Sequence, residues 1–323
     1  MKERVYIAEA PTKVILSGEH SVVYGYPAIV LAVEPKVRAE AVRRGQTMIR
    51  VESSRLGAAE RDLMSGRTSG QEKLIPMIEV LRRVLELCES KSGLVVRTSG
   101  EVPVAAGLGS SASAFVSSAL AAFRALGVDP MREQLIDAAM TGEKMVHGRP
   151  SGVDIEIAAS GGAIRYVKGA GSRSLRIRSE PPLVVVNTGI ERSTGDMVER
   201  FRSNLEAGGA DMRVLLDSMG GITDQIGAAL ERSELDLVGR LMVANHVVLA
   251  RFGVSLPILD RIVVESVGLG ALGAKLTGAG GGGCAIALMR PGLVDSLIAR
   301  MGRMGLNSFP AVFCAEGARA WSS

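Results

Sequence analysis

Aromatic side chains make up only 3% of the 323 residues, so the interior must be built from aliphatic side chains, alanine and methionine. Their scarcity also removes the stacking platforms on which single-stranded nucleic acid is usually held. The three cysteines, Cys88, Cys284 and Cys314, are odd in number and far apart, which excludes a disulfide framework and predicts free thiols in a reducing compartment. There are three histidines, none at metal spacing from a cysteine or another histidine, so no zinc site is expected. Runs of like charge are missing. The formal net charge of +4 comes without a basic stripe, which argues against a nucleic-acid partner and suits a small anionic ligand. The opening MKERVYIAEAP lacks the apolar run of a signal peptide, since Glu9 interrupts it. No uninterrupted apolar stretch reaches the about eighteen residues of a membrane span. A soluble, cytoplasmic protein with no membrane partner is predicted.

What the chain has in quantity is glycine, 39 residues that cluster rather than scatter. Clustered glycine marks backbone held close to something else. The remaining composition, 47% hydrophobic and 22% charged, is that of a globular protein, and the length favours two domains. Strands are predicted over 3–8 and 28–34, with Val14–Leu16 extended between them, and 53–70 reads as a polar surface excursion. A helix over 72–90 and a strand over 93–98 precede PVAAGLGSSAS (103–113). That segment leads into a helix to Leu126, apolar nearly all round and therefore central. Asp129-Pro130 starts a helix that runs to His147 and breaks at Gly148-Arg149-Pro150, after which Ser151 opens a short one. Strands are expected over 162–168 and 183–186, then helices over 194–268 separated at Gly208-Gly209, Gly220-Gly221 and 253–257. The chain closes with strand 271–276, a glycine loop, strand 284–289, helix 294–304 and strand 308–314. The change of texture near 180–190 divides it into 1–182 and 183–323, and the order of elements is α+β.

Two glycine segments fit the dinucleotide fingerprint by letter and fail by context. No G-x-x-x-x-G-K-[ST] loop occurs. Gly107-Leu108-Gly109-Ser110-Ser111-Ala112 follows a strand and opens a helix, but the acid that should end a second parallel strand is Asp129, before a proline at a helix start. The second segment, starting at Gly278, is followed by a strand. Both retain an anion-binding logic: a helix starting at 109–111 offers unpaired N–H groups, a positive dipole end and hydroxyls. Ser110 or Ser111 serves equally as an N-cap, worth about 1 kcal/mol. Ser151-Gly152-Val153-Asp154 is a capping-box pattern, so Asp154 reads first as a cap. Glu143 alone reads as a solvated helix face, Lys13 as a snorkelling residue and His20 as a structural histidine. What raises the carboxylates is placement. Glu143 and Asp154 bracket the HGRPSG turn, and two nearby carboxylates beside a phosphate loop suggest a metal ligand and a base.

Four segments occur in order: APTKVILSGEHSVVYG (10–25), PVAAGLGSSAS (103–113), GEKMVHGRPSGVD (142–154) and KLTGAGGGGCAI (275–286). With them the chain resembles the GHMP small-molecule kinases along essentially its whole length. Glu19-His20, the spacing from Glu143 to Asp154, and Asn245 followed by Gly253-Val254-Ser255 make it most similar to the branch of that family that phosphorylates mevalonate. The resemblance implies an N-terminal α/β domain with a left-handed β-α-β unit, a C-terminal ferredoxin-like domain and an active site in the cleft between them. It implies ATP as co-substrate, with Pro103, Gly107, Leu108, Gly109, Ser110, Ser111, Ala112 and Ser113 around its phosphates and Mg²⁺ on Ser111 and Glu143. Asp154 would take the proton of the acceptor's primary hydroxyl, and Lys13 would pair with Asp154 and steady the alkoxide. Arg192 offers a fork for the acceptor carboxylate. Glu19, His20 and Thr194 would hold hydroxyls, and Gly278 and Ala279 would approach from the second domain. A homodimer is expected. Two positions depart from the family's pattern: Thr12 stands where Pro-Gly-Lys has glycine, and Ile155 where an asparagine is common.

Overall fold

The computed structural model describes residues 4–45, 47–100, 107–148, 150–191 and 193–323. Among them the chain forms two sheets. The first contains β1 (Tyr6–Ser17), β2 (Ala28–Arg44), β3 (Met48–Ser53), β4 (Gly57–Asp62), β5 (Thr68–Gly70), β6 (Gly93–Ser99), β7 (Ala163–Val167), β8 (Gly171–Leu175) and β13 (Arg319–Ser322). Its order is β13-β1-β2-β6-β3-β4-β5, with β7 paired to the other end of β2 and β8 outside it. β3 and β6 are parallel, joined by a crossover through α1 (Ile75–Leu87). Helices α2 (Ser110–Ala125), α3 (Arg132–His147) and α4 (Val153–Ser160) complete this half. Residues 28–33 of β2, Ala-Ile-Val-Leu-Ala-Val, are all buried. Such an unbroken apolar run marks a strand covered on both faces. α2 is the central helix, and its alanines and serines let its backbone lie close to β1 and β2 while Phe115, Val116 and Phe123 fill the space towards α1 and α3.

The second sheet is antiparallel, in the ferredoxin-like order β10-β11-β9-β12, built from β9 (Leu183–Asn187), β10 (Gly273–Thr277), β11 (Cys284–Leu288) and β12 (Asn307–Ala311). Around it run α5 (Thr194–Ala207), α6 (Gly209–Glu231), α7 (Leu235–Arg251), α8 (Pro257–Gly268) and α9 (Val294–Arg303). Val184, Val186, Ala274, Leu276 and Ala285 face one core with α8 and α9. The opposite-facing Val185, Ile286 and Leu288 join Val14, Leu16, Ile29 and Leu31 of the first sheet in one continuous core. Burial of that shared surface, at roughly 25 cal/mol per Å² of apolar area, holds the halves together. Among the described residues no helix is long and apolar enough to cross a membrane, and the three cysteines are free.

Several expectations are corrected. Residues 6–17 form one long strand, and the polar 53–70 stretch contains β4 and β5. Its strands are polar because they lie at a sheet edge, where Arg50 bridges Glu52 and Glu60 across the surface. Gly220-Gly221 lies inside α6. Gly220 is there for close packing, since a Cβ on it would sit 2.5 Å from Tyr26 Cδ1. β8 and β13 were not foreseen. The expected second unit of 183–323 gives up its end to the first sheet, where β13 pairs antiparallel with β1 and Phe313 bridges to Val33.

Candidate functional site

The start of α2 is fastened to β1 by main-chain chemistry. Lys13 N–H donates to the Leu108 carbonyl at 2.9 Å, while the Leu108 side chain is buried in the shared core. The Ser113 hydroxyl donates to the Pro11 carbonyl at 2.7 Å. Gly109 is the residue before the first turn, at φ 72° and ψ 24°, and no side chain caps the helix. Ser110 and Ser111 are therefore not caps, and the first N–H groups of α2 have no intrahelical acceptor. Ser111 is exposed and Ser110 partly so. Ser113 corrects the expectation that the whole run faces the phosphates. Its hydroxyl is buried and spent on Pro11, and its N–H is spent on the Gly109 carbonyl. Pro103 lies outside the described residues.

Around that helix start the structure brings together Lys13, Asp154 and Glu143. Lys13 Nζ is 3.2 Å from Asp154 Oδ1, with the lysine almost completely buried. Gly109 lies against both: a Cβ on it would sit 3.0 Å from Lys13 Cε and Cγ and 3.3 Å from Asp154 Oδ2. Asp154 is in the first turn of α4, but the capping-box reading fails, because the residue before that turn is Gly152 and no side chain caps it. The chain reaches this turn under control of Tyr166, whose hydroxyl donates to the Ser151 carbonyl. Glu143, on α3, is 5% exposed, and its Oε2 has no hydrogen-bond partner. Burial, and then the neighbouring Asp154 carboxylate, push its acid up to about 7 against the opposing pull of Lys13. Two carboxylates and one ammonium thus share a poorly hydrated corner beside the open end of a helix.

Neither departure from the family pattern reaches this corner. The Thr12 hydroxyl donates to the Val33 carbonyl at 2.9 Å, and Thr12 is not among the residues with positive φ, so the position does not call for glycine. Ile155 is fully buried in the same core as Ala112 and Val116.

The second half closes on the site through β10 and the glycine loop after it. The Thr277 hydroxyl accepts from Ile15 N–H and donates to the Ile15 carbonyl, both at 3.0 Å. His20 Nε2 meets the Ala279 carbonyl at 2.9 Å, and its ring stacks on Phe201 of α5 at 4.7 Å. His20 holds φ at 60°, a conformation that a non-glycine residue keeps only when its surroundings impose it. Gly278 is buried at the end of β10. Glu19 is buried and ion-paired with the fully buried Lys275. Burial opposes both charges, pushing the Glu19 acid up and the Lys275 ammonium down, while each partner opposes the shift of the other. Thr194 opens α5 in an exposed position, and Arg192 lies outside the described residues. Lys275 and Tyr166 were missed from sequence, because a lone lysine in a strand and a tyrosine in a strand reveal nothing of the partner each finds in the fold.

The chain matches the GHMP kinases N terminal domain over 74–162 and the GHMP kinases C terminal domain over 228–307. It is 37% identical to a mevalonate kinase of Aeropyrum pernix over 97% of each chain. With a mevalonate kinase of Pyrococcus furiosus the identity is 36%, over 87% of this chain and 88% of the relative. Among solved structures, L. major mevalonate kinase in complex with R-mevalonate superposes with a TM-score of 0.80 at 27% identity, over 96% of each chain.

Proposed function

The chain belongs to the GHMP kinases, and we infer that it transfers a phosphoryl group from ATP to the primary hydroxyl of mevalonate, giving 5-phosphomevalonate for isoprenoid biosynthesis. The observation that carries the choice of acceptor is that similarity to mevalonate kinases runs through both sheets rather than one domain. The reaction asks for positioning and charge compensation more than for covalent chemistry. Asp154 is the group to orient the primary hydroxyl and receive its proton. Lys13 keeps Asp154 in place and balances charge on the attacking oxygen. The uncapped first turn of α2, with Ser110 and Ser111, offers N–H and hydroxyl donors to the phosphates.

The donor set fits Mg²⁺. Among the described residues no three His, Cys, Asp or Glu side chains cluster as a metal cage. Mg²⁺ on a nucleotide needs only one or two protein ligands besides phosphate and water. The unpartnered Oε2 of Glu143 and the exposed Ser111 hydroxyl would supply them. Held there, Mg²⁺ would supply charge compensation for the phosphates and Lewis acidity towards the transferred group.

On the acceptor side, Glu19, His20, Gly278 and Ala279 form the wall contributed by the first turn and the glycine loop. Arg192 and Thr194 are assigned to the carboxylate and a hydroxyl. Mevalonate has two hydroxyl donors. With the primary one on Asp154, the free oxygen of Glu19 is left to accept the tertiary one. We place the boundary of the two domains at 182/183, with Arg319–Ser322 returning to the sheet of the first, the reaction in the cytoplasm and the assembly as a homodimer. A coupled assay with ATP and, in turn, mevalonate, phosphomevalonate, homoserine and galactose tests the assignment. Turnover is expected with mevalonate, and consumption of another acceptor without mevalonate refutes it.

A further inference from the structure

β10 turns Lys275 and Thr277 to one side and Ala274 and Leu276 to the other, as the period of two requires. The second pair fills the core of the second half. The first pair crosses to the first half, Thr277 to Ile15 and Lys275 to Glu19. The strand is held from behind as well, for Leu276 N–H donates to His246 Nδ1 at 3.2 Å. An ion pair this deeply buried is a poor stabilising device, because desolvation consumes most of the attraction and an apolar pair of similar size would serve as well. Its two partners are also satisfied unequally. Lys275 donates to Glu19 Oε1 and to the Leu276 carbonyl, whereas Glu19 Oε2 has no partner. Buried carboxylate oxygens almost always accept something. Glu19 is followed in sequence by His20, bound to the Ala279 carbonyl, and the Lys13 ammonium is near enough to favour the charged form of Glu19.

We propose that Lys275 is a positioning residue for acceptor recognition: it grips one oxygen of Glu19 so that the other stands fixed and free to accept the tertiary hydroxyl of the acceptor. This rests on the reading of Glu19 as an acceptor contact. Lys275, on the strand that leads into the glycine loop, thereby enters substrate selection without itself touching the substrate.

The measurement is the preference for mevalonate over its analogue without the tertiary hydroxyl, 5-hydroxy-3-methylpentanoate, as a ratio of kcat/KM. A site built to bind a hydroxyl discriminates against its loss strongly, so the unmodified protein is expected to prefer mevalonate about a hundredfold or more. Glu19→Gln and Lys275→Met are each expected to cut that preference about tenfold or more, with the KM for ATP changed less than about twofold. Because Lys275 acts through Glu19, the double variant should lose no more preference than Glu19→Gln alone. Multiplying losses would overturn the proposal. So would a Lys275→Met protein that melts earlier yet keeps full preference, which would leave Lys275 with a structural role only while Glu19 remains a contact. Full preference in Glu19→Gln would instead overturn the reading of Glu19 and the proposal with it. If the methionine variant does not fold, Lys275→Gln, which keeps an uncharged donor on a shorter stem, replaces it with the same loss expected and the same refutation.

Discussion

Replacing Gly109 by alanine should separate the cost of a backbone conformation from the cost of disturbing the Lys13–Asp154 pair. A matched control exists at the other end of the same helix. Gly127 holds φ at 83° with no atom within 4 Å of an added Cβ, so Gly127→Ala meets only the strain of a left-handed residue. That costs about 1 kcal/mol, a fall of about 2–3 °C in Tm, and leaves turnover unchanged. Gly109, at φ 72°, carries the same strain, but its Cβ would lie 3.0 Å from Lys13 Cγ and Cε and 3.3 Å from Asp154 Oδ2. Carbon atoms in contact rest about 3.5–4.0 Å apart, so the lysine stem must retreat by about 0.5–1 Å. The backbone cannot yield instead, because the Lys13 N–H to Leu108 carbonyl bond fixes the loop to β1. A displacement of about 1 Å in a reacting group lowers turnover by about a hundredfold, and smaller ones in proportion. Gly109→Ala is therefore expected to lose only slightly more stability than Gly127→Ala while its kcat falls by about ten- to a hundredfold. Thermal melting and steady-state turnover on the two purified variants make the comparison. Equal kcat in both would refute the placement of Lys13 and Asp154 in the chemistry.

Asp154→Asn keeps the shape of the site and removes the proton acceptor. Its kcat should fall by about 10²–10⁴ while calorimetric ATP binding persists, and near-normal turnover would dismiss Asp154 as the base. Glu143 is neutral below about 7 and anionic above, so a cation bound there must displace a proton on the acidic side. The apparent affinity for Mg²⁺, titrated at fixed ATP, should strengthen as pH rises through that value and then level off. Glu143→Gln should bind Mg²⁺ more weakly with a flatter profile, and since titration of ATP itself is common to both proteins, identical profiles would contradict the assignment. Tyr166→Phe keeps the ring and loses the bond to the Ser151 carbonyl. It should cost about 1 kcal/mol in denaturant unfolding and a few-fold in kcat with the KM for ATP unchanged, and an unaltered kcat would free the Asp154 turn from this tether.

The parts of the site that sequence revealed are those whose residue types are unusual locally. Glycines and serines at a helix start, two carboxylates around a proline–glycine turn and a glycine run between strands each carry a physical meaning within about a dozen residues. Lys13, Asp154, Glu143 and Gly109 do converge. Hidden from sequence was whatever depends on a distant partner. Lys275 looks like any lysine until Glu19 is found opposite it, and Ser113 looks like its neighbours until Pro11 claims its hydroxyl. The same applies to the fold. The long helical patterns and the buried strands follow from periodicity. Gly220 reads as a breaker because only tertiary packing against Tyr26 explains it, and Arg319–Ser322 is too short and polar to announce a strand.

That last strand bears on the order in which the protein can assemble. β1 is made early and carries Lys13, yet its outer neighbour in the sheet, β13, is made only after all four strands of the second half. Tyr6, Ile7, Ala8 and Glu9 therefore stay without their partners Ser322, Trp321, Ala320 and Arg319 while most of the polypeptide is still being synthesised. The lysine-bearing strand is finished last although it starts first. The ribosome thus imposes an interval in which the N-terminal half has an open sheet edge at Tyr6–Glu9, an interval that a chain circularly permuted to begin at β13 would not have.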